Sequence, residues 1–203
     1  MSEYIVRSIV FVVFAYLCGS VPWGFIIGKF CGVDVRTVGS KNIGATNVTR
    51  CVGKRAGQLC FALDFIKGLA PVLVVQYLGV GEKVLLMVLV AAVIGHMFPV
   101  FLNFKGGKGV STAAGAIAAL APIPLVAALT VWVVVFLVSR YVSLASITAA
   151  AVLATVSWVT VLTANLSWQK AALLTVVAAL AIFRHRENIV RLMNGTENRF
   201  GKK

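Results

Sequence analysis

A short run of glycines and lysines, Lys105-Gly106-Gly107-Lys108-Gly109, follows a long apolar stretch directly. Glycine lets the backbone bend freely and bring its N–H groups close to a ligand, and lysine adds positive charge. This run (the glycine–lysine run) is not a Walker A loop, which needs Gly-x-x-x-x-Gly-Lys-Ser/Thr. Gly109 follows Lys108, and the position five before Gly107 is Leu102. The residue types therefore predict an anion-binding loop of no more specific class.

A second polar segment, residues 32–53 (the first loop), mixes hydroxyls, amides, glycines and two arginines with very few acids. Such side chains are hydrogen-bond donors that can surround a phosphate, and arginine binds oxyanions with two parallel bonds. The same composition is typical of an ordinary flexible loop, because glycine and asparagine are common in turns. Composition alone favours a binding role only slightly.

Two ionisable residues, Asp64 and Lys67, interrupt an apolar stretch. They are three residues apart, so a helix places them on one face, where they can pair. Ionisable groups inside a membrane span usually face the bundle interior or a polar cavity. A role in lining a site and a purely structural ion pair are equally open. For His96, in the next apolar stretch, a hydrogen-bonded packing role is favoured over catalysis.

The C-terminal region pairs His185 with Asn188, three residues later. A helical turn that continues the preceding apolar stretch places both on one face. A histidine at such a position can hold or polarise a substrate oxygen. A solvated basic tail is the alternative, and it explains the neighbouring arginines but not this pairing.

The four segments are carried by a chain of 203 residues that is 60% hydrophobic and 12% charged, which is too apolar for a soluble domain. Seven hydrophobic stretches cover approximately residues 5–30, 57–79, 84–104, 110–121, 122–139, 143–164 and 169–184. A span needs about 20 apolar residues, so the short fourth stretch leaves the number of spans uncertain by one. The composition predicts an all-α, polytopic membrane bundle of about seven transmembrane helices, forming one domain over residues 1–203. Pro22 interrupts the first stretch and predicts a kink there.

The charge distribution predicts an orientation for this bundle. The net charge is +13. If the N-terminus lies outside, nearly all the lysines and arginines of the loops and tail face inward, and Arg7, Lys83 and Lys170 face outward. The positive-inside rule therefore predicts an external N-terminus and a cytoplasmic C-terminus. This distribution argues against nucleic-acid binding, because the basic residues flank apolar spans and form no soluble basic face.

The cysteines do not indicate a metal site. Cys18, Cys31, Cys51 and Cys60 form no CxxC pair. A metal site would need closer spacing and nearby histidines. We expect no metal and no cofactor.

Six strings, in this order, carry a family resemblance: GSVPWG at 19–24, GSKNIGATN at 39–47, DFIKG at 64–68, GHMFPVF at 95–101, FKGGKG at 104–109 and RHRENI at 184–189. With them the chain resembles the bacterial acyl-phosphate:glycerol-3-phosphate acyltransferases, the PlsY family, over residues 16 to 199. Each string alone is weak, but six in the family's order are highly specific together.

The resemblance implies an activity and a place. Proteins of this kind move a fatty acyl group from acyl phosphate to the 1-hydroxyl of sn-glycerol 3-phosphate, giving lysophosphatidic acid and inorganic phosphate. They work at the cytoplasmic face of the bacterial inner membrane. The implied partners are these two substrates and membrane lipids, with no nucleic acid and no obligate protein partner.

The resemblance also implies site residues, which residue chemistry supports. The predicted catalytic residues are Ser40, Arg50, Lys108, His185 and Asn188. The predicted phosphate-binding residues are Ser40, Asn42, Arg50, Lys105, Gly106, Gly107, Lys108 and Gly109. Glu197 falls on the family's structural glutamate, and Asp64 and Lys67 are grouped with it as structural. In this arrangement Gly107→Ala is expected to raise the KM for glycerol 3-phosphate.

No protein base for the acceptor hydroxyl is evident. Acyl-CoA-dependent glycerolipid acyltransferases have an aspartate five residues after a histidine. Here the residue five positions after His96 is Phe101, and the residue five positions after His185 is Val190. We therefore expect a phosphate oxygen of acyl phosphate to accept the proton, without an essential protein base.

A transporter for an organic phosphate or another anion is the competing class. A broken helix, intramembrane ionisable residues and basic loops all suit a transporter. Against it, the polar motifs gather on one predicted face and the two halves show no internal repeat. A purely structural membrane subunit would leave the loop chemistry unexplained.

Overall fold

The computed structural model describes residues 2–163 and 166–201, and these residues form α-helices, one short 3-10 helix and connecting turns. The predicted all-α class is confirmed. The described chain divides into two compact units, Met1–Ala119 (unit 1) and Leu120–Lys203 (unit 2). A single functional domain over residues 1–203 stays a prediction.

Unit 1 carries the first loop and the glycine–lysine run. Its helices are α1 (Ser2–Ser20), α2 (Trp23–Phe30), α3 (Ala45–Cys51), α4 (Lys54–Tyr77), α5 (Glu82–Met97), the 3-10 helix (Val100–Leu102) and α6 (Val110–Leu120). Helix α5 packs against α1 and α4, and α3 packs against α4. Helix α3 lies inside the first loop, a segment that was interpreted from its composition as a loop.

The predicted interruption at Pro22 is confirmed. Helix α1 ends at Ser20 and α2 begins at Trp23. Proline has no N–H group and breaks the helical hydrogen-bond pattern. A carbonyl at such a break needs a donor when the surroundings are apolar. The Nζ atom of Lys67 donates to the Val21 carbonyl oxygen over 2.7 Å.

Glycines allow α4 and α6 to approach very closely. A Cβ atom at Gly68 would overlap the backbone of Thr112, and one at Gly115 would overlap the backbone of Phe65. Small residues permit this kind of backbone contact between membrane helices. The close contact fixes α6 on α4, and with it the start of α6, which follows the glycine–lysine run.

Helix α5 ends before its apolar stretch does. The stretch was placed at residues 84–104, but the α-helix stops at Met97 and the 3-10 helix follows Pro99. Asn103 and Phe104 then adopt left-handed conformations, with φ of 51° and 61°. Proline cannot continue the helix, and the left-handed pair reverses the chain. The glycine–lysine run consequently folds back onto the end of α5.

Unit 2 contains α7 (Pro122–Ser139), α8 (Val142–Thr163), α9 (Trp168–Arg184) and α10 (Arg186–Met193). Helix α8 packs against α7 and α9, and α10 packs against α8 and α9. Arg140, with φ of 62°, forms the left-handed turn between α7 and α8. These contacts position the C-terminal polar residues against α8.

Five helical segments within the described residues are long and apolar enough to cross a membrane: Glu3–Phe30, Lys54–Tyr77, Glu82–Leu102, Pro122–Ser139 and Val142–Thr163. The other two predicted stretches correspond to α6 and α9, with 11 and 17 residues. Every predicted stretch thus contains a helix. The number of seven spans and the orientation of the termini stay predictions.

Candidate active site

The buried amide of Asn47 organises the first loop. Asn47 is 1% exposed. Its Nδ2 lies 2.8, 3.1 and 2.9 Å from the carbonyl oxygens of Val35, Val38 and Asn42. Its Oδ1 accepts a hydrogen bond from the Ser40 N–H over 2.8 Å. One side chain therefore determines the course of the segment that carries Ser40.

Asn47 was not among the predicted site residues, although it ends the GSKNIGATN string. An amide combines donors and an acceptor in one group, which a loop of converging carbonyls and N–H groups requires. The signal was present as an asparagine between apolar and small residues. The set of backbone groups that it serves became visible only in the folded loop.

Asn47→Asp is expected to disorder the first loop. A carboxylate in place of the amide would face three carbonyl oxygens without a donor, at a cost of about 3 kcal/mol. Hydrogen exchange of the amides of residues 35–47 in detergent would measure the loss of order, and activity should fall with it. The exposed Gln76→Glu is a matched amide-to-carboxylate control. Equal protection in Asn47→Asp and the parent would refute the assignment.

The first loop contains two arginines in different situations. Arg36 binds Asp34 through an Nη2–Oδ2 contact of 2.8 Å, and its guanidinium lies 4.3 Å from the Phe25 ring centroid. Hydrogen bonds from Arg36 hold the pKa of Asp34 well below its usual range. Arg36 therefore anchors the start of the loop. Arg50, the predicted catalytic arginine, lies exposed in the last turn of α3.

Ser40 and Asn42 lie on the same loop. Ser40 is exposed, whereas Asn42 is half-buried and its Oδ1 accepts a hydrogen bond from the Gly44 N–H over 2.8 Å. This bond forms a local turn immediately before α3. Ser40 thus lies on a loop whose backbone is hydrogen-bonded to the side chains of Asn42 and Asn47.

The glycine–lysine run packs against the end of α5 through its own backbone. The Gly106 and Gly107 N–H groups donate to the carbonyl oxygens of Met97 and His96 over 3.2 and 3.1 Å. A methyl group at Gly107 would overlap the Nε2 atom of His96. Carbonyls at a helix C-terminus lack helical partners, which is why they attract these donors.

The two glycine N–H groups have partners within the protein, because they donate to the end of α5. Phosphate binding by Gly106 and Gly107 stays a prediction. The glycines permit close approach of the run to the helix. Lys105 is exposed and Lys108 half-buried, and the Gly109 carbonyl accepts the Ala113 N–H over 2.7 Å at the start of α6. The run thereby presents its lysines beside a helix N-terminus, which favours anions.

A polar cluster lies buried beside this run. The predicted Asp64–Lys67 pair is present, with 2.6 Å between the Lys67 Nζ and the Asp64 Oδ1, and the side chains of Asp64 and Lys67 are 2% and 5% exposed. His96 is also buried, and its Nδ1 lies 3.1 Å from the Thr112 Oγ1 and 3.6 Å from the Asp64 Oδ1. His96 is therefore hydrogen-bonded and packed, as expected. The cluster joins α4, α5 and α6.

The first loop and the 3-10 helix just before the glycine–lysine run share one apolar support. This first-loop cluster consists of the buried side chains of Ile27, Val35, Ile43, Val48 and Cys60. Leu102 packs against it from the 3-10 helix, three residues before Lys105. Burial of this apolar surface holds both segments in place. Unit 1 thus supports the first loop and the 3-10 helix that precedes the glycine–lysine run on one apolar cluster.

Unit 2 holds the remaining predicted residues. His185 and Asn188 are both buried, at 3% and 6% exposed. The Nδ1 of His185 lies 2.8 Å from the Ala181 carbonyl oxygen. A carbonyl only accepts, so Nδ1 carries a proton, and a neutral ring then has its lone pair on Nε2.

Glu197 is the centre of a hydrogen-bonded group in unit 2. Its Oε1 accepts hydrogen bonds from Ser143 Oγ over 2.8 Å and from Asn188 Nδ2 over 2.7 Å. Its Oε2 accepts from Arg191 Nε over 2.7 Å. Burial by itself raises the pKa of Glu197, but hydrogen bonds from Arg191, Asn188 and Ser143 outweigh it, and the pKa is lowered. The carboxylate ties α8, α10 and the tail together and orients the Asn188 amide.

The fold and these loops define a helical integral membrane protein with folded, cation-bearing polar segments. The family model described as glycerol-3-phosphate acyltransferase matches residues 9–195. A glycerol-3-phosphate acyltransferase of Aquifex aeolicus is 48% identical over 96% of this chain and 100% of its own length. One from Geotalea daltonii is 47% identical over 95% of this chain and 97% of its own.

Solved structures agree with these sequence matches. The crystal structure of PlsY, an integral membrane glycerol 3-phosphate acyltransferase in its glycerol 3-phosphate form, has a TM-score of 0.90 with this chain. It is 48% identical, and the alignment covers 96% of each chain. The lysophosphatidic acid form of PlsY gives a TM-score of 0.87 with 47% identity. The chain belongs to the glycerol-3-phosphate acyltransferase family of integral membrane enzymes.

Proposed function

We propose that this enzyme transfers a fatty acyl group from acyl phosphate to the 1-hydroxyl of sn-glycerol 3-phosphate. The products are lysophosphatidic acid and inorganic phosphate. The glycerol 3-phosphate and lysophosphatidic acid forms of the related crystal structure support this acceptor and this product. Family membership favours acyl transfer over the transport of an anion.

The observation that carries the proposal is the shared apolar support in unit 1. Ser40 and Arg50 belong to the first loop, whose buried Val35, Ile43 and Val48 lie in the first-loop cluster. Lys105 and Lys108 belong to the glycine–lysine run, and Leu102, three residues before Lys105, packs against the same cluster. Two phosphorylated substrates repel each other, so the main physical difficulty is to bring two anions together. The positive charges of Arg50, Lys105 and Lys108 would offset that repulsion.

The residues then have distinct proposed roles. Arg50 and Lys108 bind phosphoryl oxygens, with Lys105 beside them, and Ser40 and Asn42 orient the ligands. Gly106, Gly107 and Gly109 allow the run to fold onto α5 and α6. His185 and Asn188 hold substrate oxygens, and Glu197 positions Asn188. Aligning hydroxyl and carbonyl in this way can supply up to roughly 7–11 kcal/mol of the barrier reduction.

The reaction balances without a protein base. The hydroxyl oxygen of glycerol 3-phosphate attacks the acyl carbonyl carbon, and the bond from that carbon to the phosphate oxygen breaks. The departing phosphate carries the electron pair of that bond, and one of its oxygens takes the hydroxyl proton. Acyl phosphate is a mixed anhydride, so its phosphate is already a good leaving group. The apolar helices can hold the acyl chain at about 0.8 kcal/mol per buried methylene.

The proposed location is the bacterial inner membrane, with the site at the cytoplasmic face. The excess of lysine and arginine in the loops and tail that carry the site residues supports it, because cytoplasmic loops are enriched in these residues. The acceptor is water-soluble and the donor is amphiphilic, so a site at the inner surface reaches both.

Purified protein in detergent tests the proposed donor directly. We expect lysophosphatidic acid to form from acyl phosphate and glycerol 3-phosphate, with release of one inorganic phosphate per product. The same mixture with acyl-CoA in place of acyl phosphate should give no product. Product formed from glycerol 3-phosphate with acyl-CoA as the only acyl donor would overturn the donor assignment. Binding of either substrate without formation of product would favour the transporter.

His185→Ala tests whether His185 is a protein base for the acceptor hydroxyl. A general base contributes typically 10²- to 10⁴-fold. If His185 only holds substrate, the variant should lose less than about 100-fold in kcat and keep the shape of the parent pH–rate profile. Profiles of kcat between pH 5 and 9 would show this. A steep acidic limb in the parent that vanishes in the variant, with unchanged substrate binding, would make the Nε2 of His185 the base.

A further inference from the structure

We infer that His96 is a positioning residue for the acyl transfer, whose ring sets the place of the glycine–lysine run. The inference rests on the proposed function, because it takes that run to bind glycerol 3-phosphate. His96 is not among the predicted site residues. It is buried and is attached to the polar cluster on one side and to the run on the other.

One side of the ring is held by a chain of polar contacts. The Nδ1 atom of His96 lies 3.1 Å from Thr112 Oγ1 and 3.6 Å from Asp64 Oδ1. Asp64 is oriented by Lys67, whose Nζ also donates to the Val21 carbonyl oxygen. The ring orientation therefore depends on the α1–α2 break, on α4 and on α6 together.

The opposite side of the ring touches the run. The Nε2 atom of His96 occupies the space that a Cβ of Gly107 would need. The backbone carbonyl of the same histidine accepts the Gly107 N–H over 3.1 Å. His96 thus contacts Gly107 through its ring and through its main chain, one residue before Lys108.

A packing role alone does not account for the cluster. Ionisable groups within a membrane span are expensive, and an apolar side chain would fill the same volume without that cost. A hydrogen-bonded ring that is fixed at both edges has one orientation and supports one position of the backbone above it. The cluster is therefore suited to holding Lys108 in a defined place.

A double-mutant cycle between Gly107→Ala and His96→Asn tests the contact. Asparagine keeps an amide near the place of Nδ1 and withdraws the far edge of the side chain from residue 107. Each single variant should raise the KM for glycerol 3-phosphate. Because His96→Asn makes room for the added methyl, the double variant should fall short of the product of the two effects by about 5-fold or more. Effects that multiply fully would overturn the inference.

Thr112→Val keeps the test decisive if the His96 variant does not fold. It removes the hydroxyl beside Nδ1 at nearly constant volume, and it should raise the KM for glycerol 3-phosphate by several-fold with kcat nearly unchanged. Thr160→Val in α8 is the matched control, because Thr160 is also buried and its hydroxyl donates to carbonyls of its own helix. A lower unfolding temperature for Thr112→Val without a change in KM would reduce the cluster to a structural role and overturn the inference.

This experiment is separable from the test of the proposed function. The KM for glycerol 3-phosphate is measured with whichever acyl donor the parent enzyme uses. Failure of acyl phosphate as donor would overturn the proposed donor and leave the comparison of variants intact. An unchanged KM in an active parent background would overturn the role of His96 alone.

Discussion

Lys108→Met is expected to lower kcat/KM for glycerol 3-phosphate by roughly 100-fold or more, the range seen when one preorganised donor to a developing charge is removed. Methionine keeps the apolar stem and removes the ammonium group. Lys108 lies between the backbone of Gly107, which packs on α5, and the N-terminus of α6. Its charge is therefore added to the favourable field of the helix dipole. Steady-state kinetics with both substrates varied would separate the effect on binding from that on kcat.

Lys83→Met provides the control for loss of one positive charge. Lys83 lies in the first turn of α5, about 21 Å along the helix from Met97, where the run packs. At that distance the charge is beyond a Debye length at physiological ionic strength, about 8 Å. Its removal should leave kcat/KM within about 2-fold of the parent. Equal losses in the two variants would show that net charge, and not a placed ammonium group, governs the rate.

Glu197→Ala is expected to reduce both stability and activity. It removes the acceptor for Ser143, Asn188 and Arg191 at once. The Glu197 side chain is 5% exposed and that of Arg191 is 34% exposed, so water can solvate the arginine only in part. We expect a loss of about 2–4 kcal/mol in unfolding free energy. Because Asn188 loses its orienting partner, kcat should fall as well.

Glu197→Gln distinguishes the contributions of the two carboxylate oxygens of Glu197. Its carbonyl oxygen can still accept from Ser143 and Asn188, whereas its NH₂ group faces the Arg191 Nε donor. The variant should therefore be intermediate between the parent and Glu197→Ala in stability. Glu187→Gln, an exposed glutamate in the first turn of α10, is the matched control and should behave like the parent. If Glu187→Gln and Glu197→Gln had equal effects, the hydrogen-bonded group would have no special weight.

The lowered pKa of Glu197 predicts the direction of the pH dependence. The unfolded chain binds the proton more tightly than the folded protein does. The stabilisation is therefore fully present above the ordinary glutamate pKa and is lost as the pH falls through the lower folded value. Unfolding temperatures below about pH 4 should decline more steeply in the parent than in Glu197→Gln. Parallel declines would contradict the assignment.

For the intramembrane charges, local spacing predicted the ion pair, whereas only tertiary contacts determined its further partners. The spacing of Asp64 and Lys67 predicted their ion pair, because residues three apart on a helix are neighbours. The partners beyond the pair, Val21 on one side and His96 on the other, come from other helices. No rule of sequence spacing connects Val21 or His96 with the ion pair. Buried polar groups in a membrane need hydrogen-bond partners, but this need does not determine which residues provide them.

The amino-acid sequence alone was sufficient to predict the class of the protein, a helical membrane protein. Seven apolar stretches predicted helices in the right places, and Pro22 predicted the break, because both depend on hydrogen bonding within a few residues. Motifs in a fixed order were sufficient for the family. Contacts across the fold decided the rest. The Asn47 amide hydrogen-bonds to the backbone of the first loop, and the Gly106 and Gly107 N–H groups donate to α5. The Glu197 carboxylate accepts a hydrogen bond from Asn188. Each of these depends on which distant backbone or side-chain groups must be satisfied once water is excluded, and that demand exists only after the helices have packed.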